Sequence, residues 1–283
     1  MDHHRDGLAE DLEPLLEIAA SRRQSLRWLL GGMAALPLAS CGGGSTIGSV
    51  DASTASSAGT ASTGSTGNSC AVIPEETGGP YPGDGTNSNG SGVANALTLS
   101  GIVRSDIRAS VSPGSATAQG IPLTIRLQLV NVGAGCAPIA GATVYLWHCD
   151  RDGNYSMYAS GLTRENYLRG VQAADADGHV TFTSIFPGCY AGRMPHVHFE
   201  VFPSLAKAAS AAGRIKTSQF TFPMATLNEV YANTAYAASS RNLASISYAT
   251  DNVFSDGTSL QMGSVSGNAS TGYTVTLVVG VSL

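Results

Sequence analysis

The stretch that decides the fold is FPGCYAGRMPHVHFEVF, residues 186–202. Successive side chains of a β-strand point to opposite faces, so the alternation at the end of this stretch predicts a strand. His196 and His198 then share one face of the strand, while Val197 and Phe199 share the other and can enter a core. We therefore expect a sheet with an apolar inner face and an imidazole pair on its other face.

The remainder of the chain from residue 96 repeats this strand pattern. Short runs rich in β-branched and aromatic residues alternate with Gly, Pro and Asp turns, which is typical of strands. The predicted strands are residues 97–103, 122–131, 142–149, 179–183, 196–202, 218–222 and 273–282. One short helix is predicted at residues 227–235, with Thr226 as its N-cap. Seven or more strands with long loops predict an all-β, immunoglobulin- or prealbumin-like β-sandwich.

The composition excludes two classes of protein. Lys and Arg number 15 and Asp and Glu number 20, so the formal net charge is -5 and no strongly basic face for nucleic acid is expected. The chain is 43% hydrophobic and only 12% charged, unlike a highly charged disordered chain. No apolar run reaches the roughly 20 residues of a membrane-spanning helix. A membrane association would therefore need another anchor.

The N-terminal region has the features of an export signal. Arg22 and Arg23 precede a short apolar stretch, residues 28–40, as in twin-arginine signals. The sequence LASC that ends at Cys41 resembles a bacterial lipoprotein box, in which the cysteine is acylated. We predict that residues 1–40 are a twin-arginine-type lipoprotein signal and that Cys41 is a lipid anchor, with a signal cleaved without acylation as the alternative. The protein is then periplasmic or at the cell surface.

The next segment is a predicted linker, and the predicted catalytic domain follows it. Residues 41–69 are almost entirely Gly, Ser, Thr and Ala, which predicts a flexible linker. Residues 70–283 form the predicted domain, and a homo-oligomer is compatible with it. Four cysteines of an exported domain allow two disulfides in three pairings, and the sequence leaves the pairing and a free Cys189 open. These cysteines are Cys70, Cys136, Cys149 and Cys189.

The imidazole pair is half of a metal site, and two kinds of site could complete it. Zinc or copper would need a third nitrogen, thiolate or carboxylate ligand, for which His148 is the candidate. Tyr155 and Tyr190 offer phenolate oxygens instead. A phenol has an ordinary pKa of about 10, so it ionises at neutral pH only beside a strong Lewis acid such as ferric iron.

At these residues the domain resembles the intradiol ring-cleavage dioxygenases, which cleave protocatechuate and catechol. The matching segments occur in order and cover most of residues 70–283. They are Gly79-Pro80-Tyr81, residues 138–147, Gly153-Asn154-Tyr155, residues 168–172, residues 175–178, residues 186–190, Arg193, His196, His198 and Ser218-Gln219. The run Trp147-His148-Cys149-Asp150 is similar to that of the exported, single-chain branch of the family.

The resemblance implies a cofactor, a reaction and a role for each matched residue. It implies one iron(III) per chain, a catechol-type substrate and O2, with cleavage to a cis,cis-muconate-type diacid. The expected ligands are Tyr155, Tyr190, His196 and His198. Tyr190 is expected to leave the metal when substrate binds, while Arg193 and Gln219 stabilise the negative charge that builds on the substrate.

Some features leave the substrate and even the catalysis open. Pro82 after Tyr81, Cys189 before Tyr190 and the polar segment 239–272 depart from the family pattern, so the particular catechol is not defined. An alternative function is a non-catalytic, lipid-anchored β-sandwich that binds aromatics or sugars, because a tether, a linker and a sandwich fit that function too.

Overall fold

The computed structural model describes residues 70–283, and its strands and helices have the following bounds. The strands are β1 (Asp84–Ser88), β2 (Val93–Asn95), β3 (Pro122–Asn131), β4 (Ala137–Pro138), β5 (Thr143–Trp147), β6 (Arg169–Ala173), β7 (His179–Ile185), β8 (His196–Phe202), β9 (Lys216–Thr221), β10 (Ser264–Asn268) and β11 (Gly272–Val281). The helices are α1 (Met224–Tyr231) and α2 (Ala237–Leu243).

Two sheets and a hairpin contain these strands. The five-stranded sheet has the order β10-β11-β3-β4, and β7 also pairs with β3. The four-stranded sheet has the order β6-β5-β8-β9 and is antiparallel throughout. β1 and β2 form a separate antiparallel hairpin. The predicted all-β sandwich is therefore confirmed.

The core lies between the two sheets. Ile125 and Leu127 of β3 and Val197 and Phe199 of β8 belong to one apolar cluster and are completely buried. Alternate residues of each strand supply this cluster, as expected for sheets packed face to face. The predicted apolar face of β8 is therefore its core face.

The opposite face of the four-stranded sheet carries the polar and aromatic side chains that matter for function. In the strand register, Trp147 of β5 and Gln219 of β9 lie on either side of His198 of β8. A second apolar cluster, which includes Trp147, Tyr155 and Leu97, packs on this face. The loops over this sheet thus enclose a row of three side chains from three adjacent strands.

Two local predictions are wrong. Residues 97–103 form turns, since Leu99 N–H donates to Ala96 O and Ile102 N–H donates to Leu99 O. Their apolar side chains pack in the second apolar cluster, on the outer face of the four-stranded sheet. The first helix begins after Pro223, not at Thr226, and has no side-chain cap. The second helix, α2, and the strands β1, β2, β4, β6 and β10 were not predicted.

One disulfide is present in the described residues, between Cys70 and Cys136. Cys149 and Cys189 are buried free thiols, each placed to donate to a nearby backbone carbonyl. The second disulfide that the sequence allowed is therefore absent from residues 70–283.

The predicted signal, the Cys41 anchor and the linker lie outside the described residues. No helix within residues 70–283 is long and apolar enough to cross a membrane.

Candidate metal centre

Four potential ligands meet on the outer face of the four-stranded sheet. His196 Nε2 lies 3.0 Å from His198 Nε2, 3.3 Å from the Tyr190 hydroxyl and 3.4 Å from the Tyr155 hydroxyl. The structure thus brings together two phenols and two imidazoles that are up to 43 residues apart along the chain, from Tyr155 to His198. Their role as ligands stays a prediction, but their convergence is an observation.

The two imidazoles are held by different contacts. His196 Nδ1 lies 2.6 Å from the carbonyl oxygen of Met194, so this nitrogen carries the proton and Nε2 presents a lone pair to the phenols. His198 Nδ1 has no hydrogen-bond partner among the described residues. Its ring stacks on Trp147 instead, with centroids 4.9 Å apart and an interplanar angle of 3°. Stacking on Trp147 therefore orients the His198 ring, and the hydrogen bond to Met194 orients the His196 ring.

The two phenols come from adjoining loops that approach closely because of a glycine. A Cβ on Gly188 would lie 2.6 Å from the carbonyl oxygen of Arg151 and 2.7 Å from that of Asp150. No other residue tolerates that approach, which explains the glycine two residues before Tyr190. The Gly188 contact packs the loop that carries Tyr190 against the loop that leads to Tyr155.

Burial keeps all four donors uncharged unless a cation binds to them. Burial raises the pKa of Tyr155 well above its usual value and that of Tyr190 to about 12. Burial, followed by the positive charge of Arg193, lowers the pKa of His196 to about 3. Burial and the neighbouring His196 likewise lower the pKa of His198. A cation that binds here must be a Lewis acid strong enough to ionise buried phenols, which fits ferric iron.

The zinc or copper alternative lacks its third ligand. Both ring nitrogens of His148 are engaged, Nδ1 with the Cys149 carbonyl oxygen and Nε2 with Ser184 Oγ, each at 2.7 Å. Within residues 70–283, no three His, Cys, Asp or Glu side chains are grouped so that they could hold a metal ion. A metal at this centre must therefore use the tyrosines.

Arg193 and Gln219 adjoin the four donors and are bonded to each other. Arg193 Nη2 donates to Gln219 Oε1 at 2.8 Å, and Gln219 Nε2 donates to the Thr77 carbonyl oxygen at 2.8 Å. Gln219 pairs with His198 in the strand register. A cation and an amide thus stand beside the imidazole pair, and their predicted action on a substrate stays a prediction.

Sequence reasoning missed three residues of the centre. Trp147 was noted only within matched segments, and its stacking on His198 has no signature in the sequence. Tyr81 was noted only as a matched residue, whereas its ring lies 5.0 Å from that of Tyr155. Asp251 lies in the polar segment 239–272 and pairs with Arg193 at 3.0 Å, so this segment covers the site. An isolated aspartate in a polar stretch gave no signal.

The comparisons with known proteins agree with this fold. The family model described as Dioxygenase (Dioxygenase_C) matches residues 106–253, a little more than half of the chain. The class of protein is therefore a dioxygenase. Among solved structures, the chain is similar to the intradiol ring-cleavage dioxygenase from Tetranychus urticae, with 25% identity, a TM-score of 0.57, and coverage of 75% of this chain and 95% of that one.

A curated relative gives a shorter match. A segment of 53 residues is 42% identical to chlorocatechol 1,2-dioxygenase of Rhodococcus opacus, and it spans 19% of this chain and 21% of that enzyme. The chain belongs to the intradiol ring-cleavage dioxygenase family, as its motifs predicted. The finer assignment to the exported, single-chain branch stays a prediction.

Proposed function

We propose that this protein is an iron(III)-dependent dioxygenase that cleaves a catechol-type aromatic between its two hydroxylated carbons and releases a cis,cis-muconate-type diacid. The single observation that carries the proposal is the meeting of two phenols and two imidazoles around His196 Nε2, at 3.0–3.4 Å. A protein of this fold that only binds a ligand would not need two phenols and two imidazoles to meet at one point.

Tyr155, Tyr190, His196 and His198 would hold one iron(III) per chain. When bound, the iron acts as a Lewis acid that draws electron density from a coordinated catechol and so permits its reaction with O2. Family membership and the donor set support this cofactor.

The two tyrosines would have different roles. Tyr155 is 3% exposed and lies in an apolar cluster, which suits a permanent ligand. Tyr190 is partly exposed and lies on the loop after Gly188, which suits a ligand that can withdraw. A catechol must lose two protons to bind as a dianion; the phenolate oxygen of Tyr190 would accept one of them, and a water-derived hydroxide would accept the other.

Arg193 and Gln219 would act on the bound ring. Arg193 is a permanent cation whose side chain is only 12% exposed, so its field is weakly screened by water. It would stabilise negative charge as that charge develops on the ring oxygens, while the amide of Gln219 fixes the guanidinium.

Oxygen uptake and product analysis across a panel of catechols test the proposal. The expected result is that O2 consumption equals substrate loss and that an intradiol diacid accumulates. A semialdehyde from cleavage beside the hydroxylated carbons would contradict the reaction. Binding of the ring without O2 uptake would contradict it too, and would favour the non-catalytic aromatic-binding function.

We also propose that the enzyme is exported and anchored to a bacterial membrane through Cys41. The support is the arginine pair and the LASC sequence, both in the part of the chain before residue 70. Replacement of Cys41 by Ser is expected to move the protein from the membrane fraction to the soluble fraction, whereas replacement of Cys70 is not. An unchanged distribution would contradict the anchor.

A further inference from the structure

A fully buried carboxylate stands behind the candidate centre. Asp251 is completely buried, and its two oxygens accept four N–H groups. Oδ2 accepts from Arg193 Nε at 3.0 Å and from the Met194 backbone at 2.7 Å. Oδ1 accepts from the backbones of Val253 at 2.8 Å and Phe254 at 3.1 Å. This side chain therefore joins the turn before β8 to the segment that covers the site.

These contacts fix the guanidinium of Arg193 from several sides. Nε is bound to Asp251, Nη2 donates to Gln219, and the guanidinium carbon lies 5.9 Å from the centroid of the Phe254 ring. Within residues 70–283, Nη1 has no protein acceptor, which leaves it free to donate to a bound molecule. A long arginine side chain is thus held in one orientation before any substrate arrives.

The carboxylate is ionised where it lies. Burial by itself would raise the pKa of Asp251, but the charge of Arg193 and the N–H donors outweigh burial, so the pKa lies below the usual range of an aspartate. When one partner of a buried ion pair is removed, the other charge is left uncompensated, and the fold is strongly destabilised.

We propose that Asp251 is a positioning residue that orients Arg193 so that Nη1 faces the oxygens of the bound aromatic ring. This inference rests on the proposed function, because it assigns Asp251 a part in the same reaction. Asp251 makes no hydrogen bond to any of the four donors, and it acts through Arg193.

Asparagine cannot replace this carboxylate, although it has the same shape. An amide has one accepting oxygen and one NH2 group, whereas Asp251 receives two N–H donors on each side. In either orientation of the amide, two donors would face an NH2 group. In both orientations Asp251→Asn also removes the negative charge that pairs with the guanidinium, so it weakens the hold on Arg193 whichever way the amide lies. Asp256, which is exposed in the same segment, gives a matched control in Asp256→Asn.

A double-mutant cycle separates positioning from a general structural role. Asp251→Asn is expected to lower kcat about 10- to 100-fold with little change in KM, since the lost interaction belongs to the transition state. In an Arg193→Ala background the same substitution is expected to change kcat less than about 2-fold, because its target is gone. Asp256→Asn should have no effect. An equal loss of kcat in both backgrounds, or no loss in the wild-type background, would overturn the proposal.

A second variant keeps the test decisive if Asp251→Asn does not fold. Arg193→Lys keeps the positive charge and leaves Asp251 and its three backbone contacts in place. It removes the planar guanidinium that donates to both Asp251 and Gln219. It is expected to lower kcat about as much as Asp251→Asn does. A lysine variant with the wild-type kcat would show that orientation is not required, and would overturn the proposal.

A measurement on the iron-free protein distinguishes failure of the positioning proposal from failure of the proposed function. The Nε–H signal of Arg193 in a ¹⁵N NMR spectrum should exchange slowly with water in the wild type and in Asp256→Asn, and quickly in Asp251→Asn. Fast exchange in the wild type would overturn the positioning proposal whatever the activity. A wild-type enzyme with a slow Nε–H but no O2 uptake with any catechol would instead reject the proposed reaction.

Discussion

At the scale of single residues, the two tyrosines of the candidate centre differ in how far their side chains are buried. Tyr155 is enclosed by an apolar cluster that includes Trp147 and Cys149, whereas Tyr190 is only packed against that cluster and stays partly exposed. Both hydroxyls lie at nearly the same distance from His196 Nε2. The roles proposed for Tyr155 as a permanent ligand and Tyr190 as a departing ligand therefore rest on what surrounds each ring and not on its distance from the imidazole.

Replacement of Tyr190 by Phe tests the role of the departing phenol. The variant removes the oxygen that would accept a proton from the substrate, and general-base groups typically contribute 10²- to 10⁴-fold. We expect an iron content near one per chain and a kcat that is lower than that of the wild type by about 10²-fold or more. Steady-state O2 uptake and metal analysis check this. A kcat within about 3-fold of the wild type would contradict the role given to Tyr190.

The sequence predicted these residues well where the pattern was local. The alternation in β8 placed both imidazoles on one face, and the order of motifs pointed to Tyr155 and Tyr190. Asp251 could not be predicted in the same way, because its partners lie 57 and 58 residues earlier in the chain. A contact of that range is made by the fold and leaves no trace in the local sequence.

At the scale of elements, strands with clear alternation were predictable and cover segments were not. β3, β8 and β11 alternate or are strongly apolar, and their predicted positions agree with the structure. Residues 97–103 have a similar composition but form turns, because they pack as a lid on the outer face of the four-stranded sheet and not within a sheet. Composition indicates burial, and only pairing partners decide whether a buried segment is a strand.

A buried arginine on β6 links three elements around the centre. All five N–H groups of Arg169 are engaged, by Ser156 Oγ and the Ser156 carbonyl, by the carbonyls of Pro82 and Tyr81, and by the Tyr145 hydroxyl. Arg169 thereby fixes the loop that carries Tyr81 and the residue that follows Tyr155. Lysine has three donors and cannot satisfy this set.

We therefore expect Arg169→Lys to lower the free energy of unfolding by about 2–4 kcal/mol, because buried carbonyls lose their donors. Denaturant unfolding of the iron-free protein measures this. Arg164→Lys, on a nearby exposed position, is the control and should change stability by less than about 0.5 kcal/mol. Equal effects of the two substitutions would contradict the linking role.

At the scale of the whole molecule, a sandwich closed by a disulfide supports a site on one outer face. Cys70 is joined to Cys136 across 66 residues, which ties the start of the described chain to the segment before β4. The core between the sheets makes β8 rigid, and the loops over its other face supply the phenols. Stability and function therefore use opposite faces of one strand.

The global stability should depend on pH through a buried histidine. Burial lowers the pKa of His148 from 6.5 to about 4, so the folded state resists a proton that the unfolded state accepts. The contribution is present above pH 6.5 and is lost as the pH falls from 6.5 to about 4. Burial raises the pKa of Glu76 to about 7 and that of Glu200 to about 8, and these two groups oppose the loss of stability on acidification, so the test is the difference between two proteins. In denaturant unfolding between pH 4 and 7, the wild type is expected to lose more stability on acidification than His148→Ala does. An equal slope in that variant would contradict the assignment.

The central claim is that two tyrosines and two histidines bind ferric iron, and the visible absorption spectrum of the iron-loaded protein tests it most directly. We expect a broad tyrosinate-to-iron charge-transfer band at one iron per chain, and its loss or strong shift in Tyr155→Phe. A colourless protein that binds no iron on loading, or a band that Tyr155→Phe leaves unchanged, would contradict the claim.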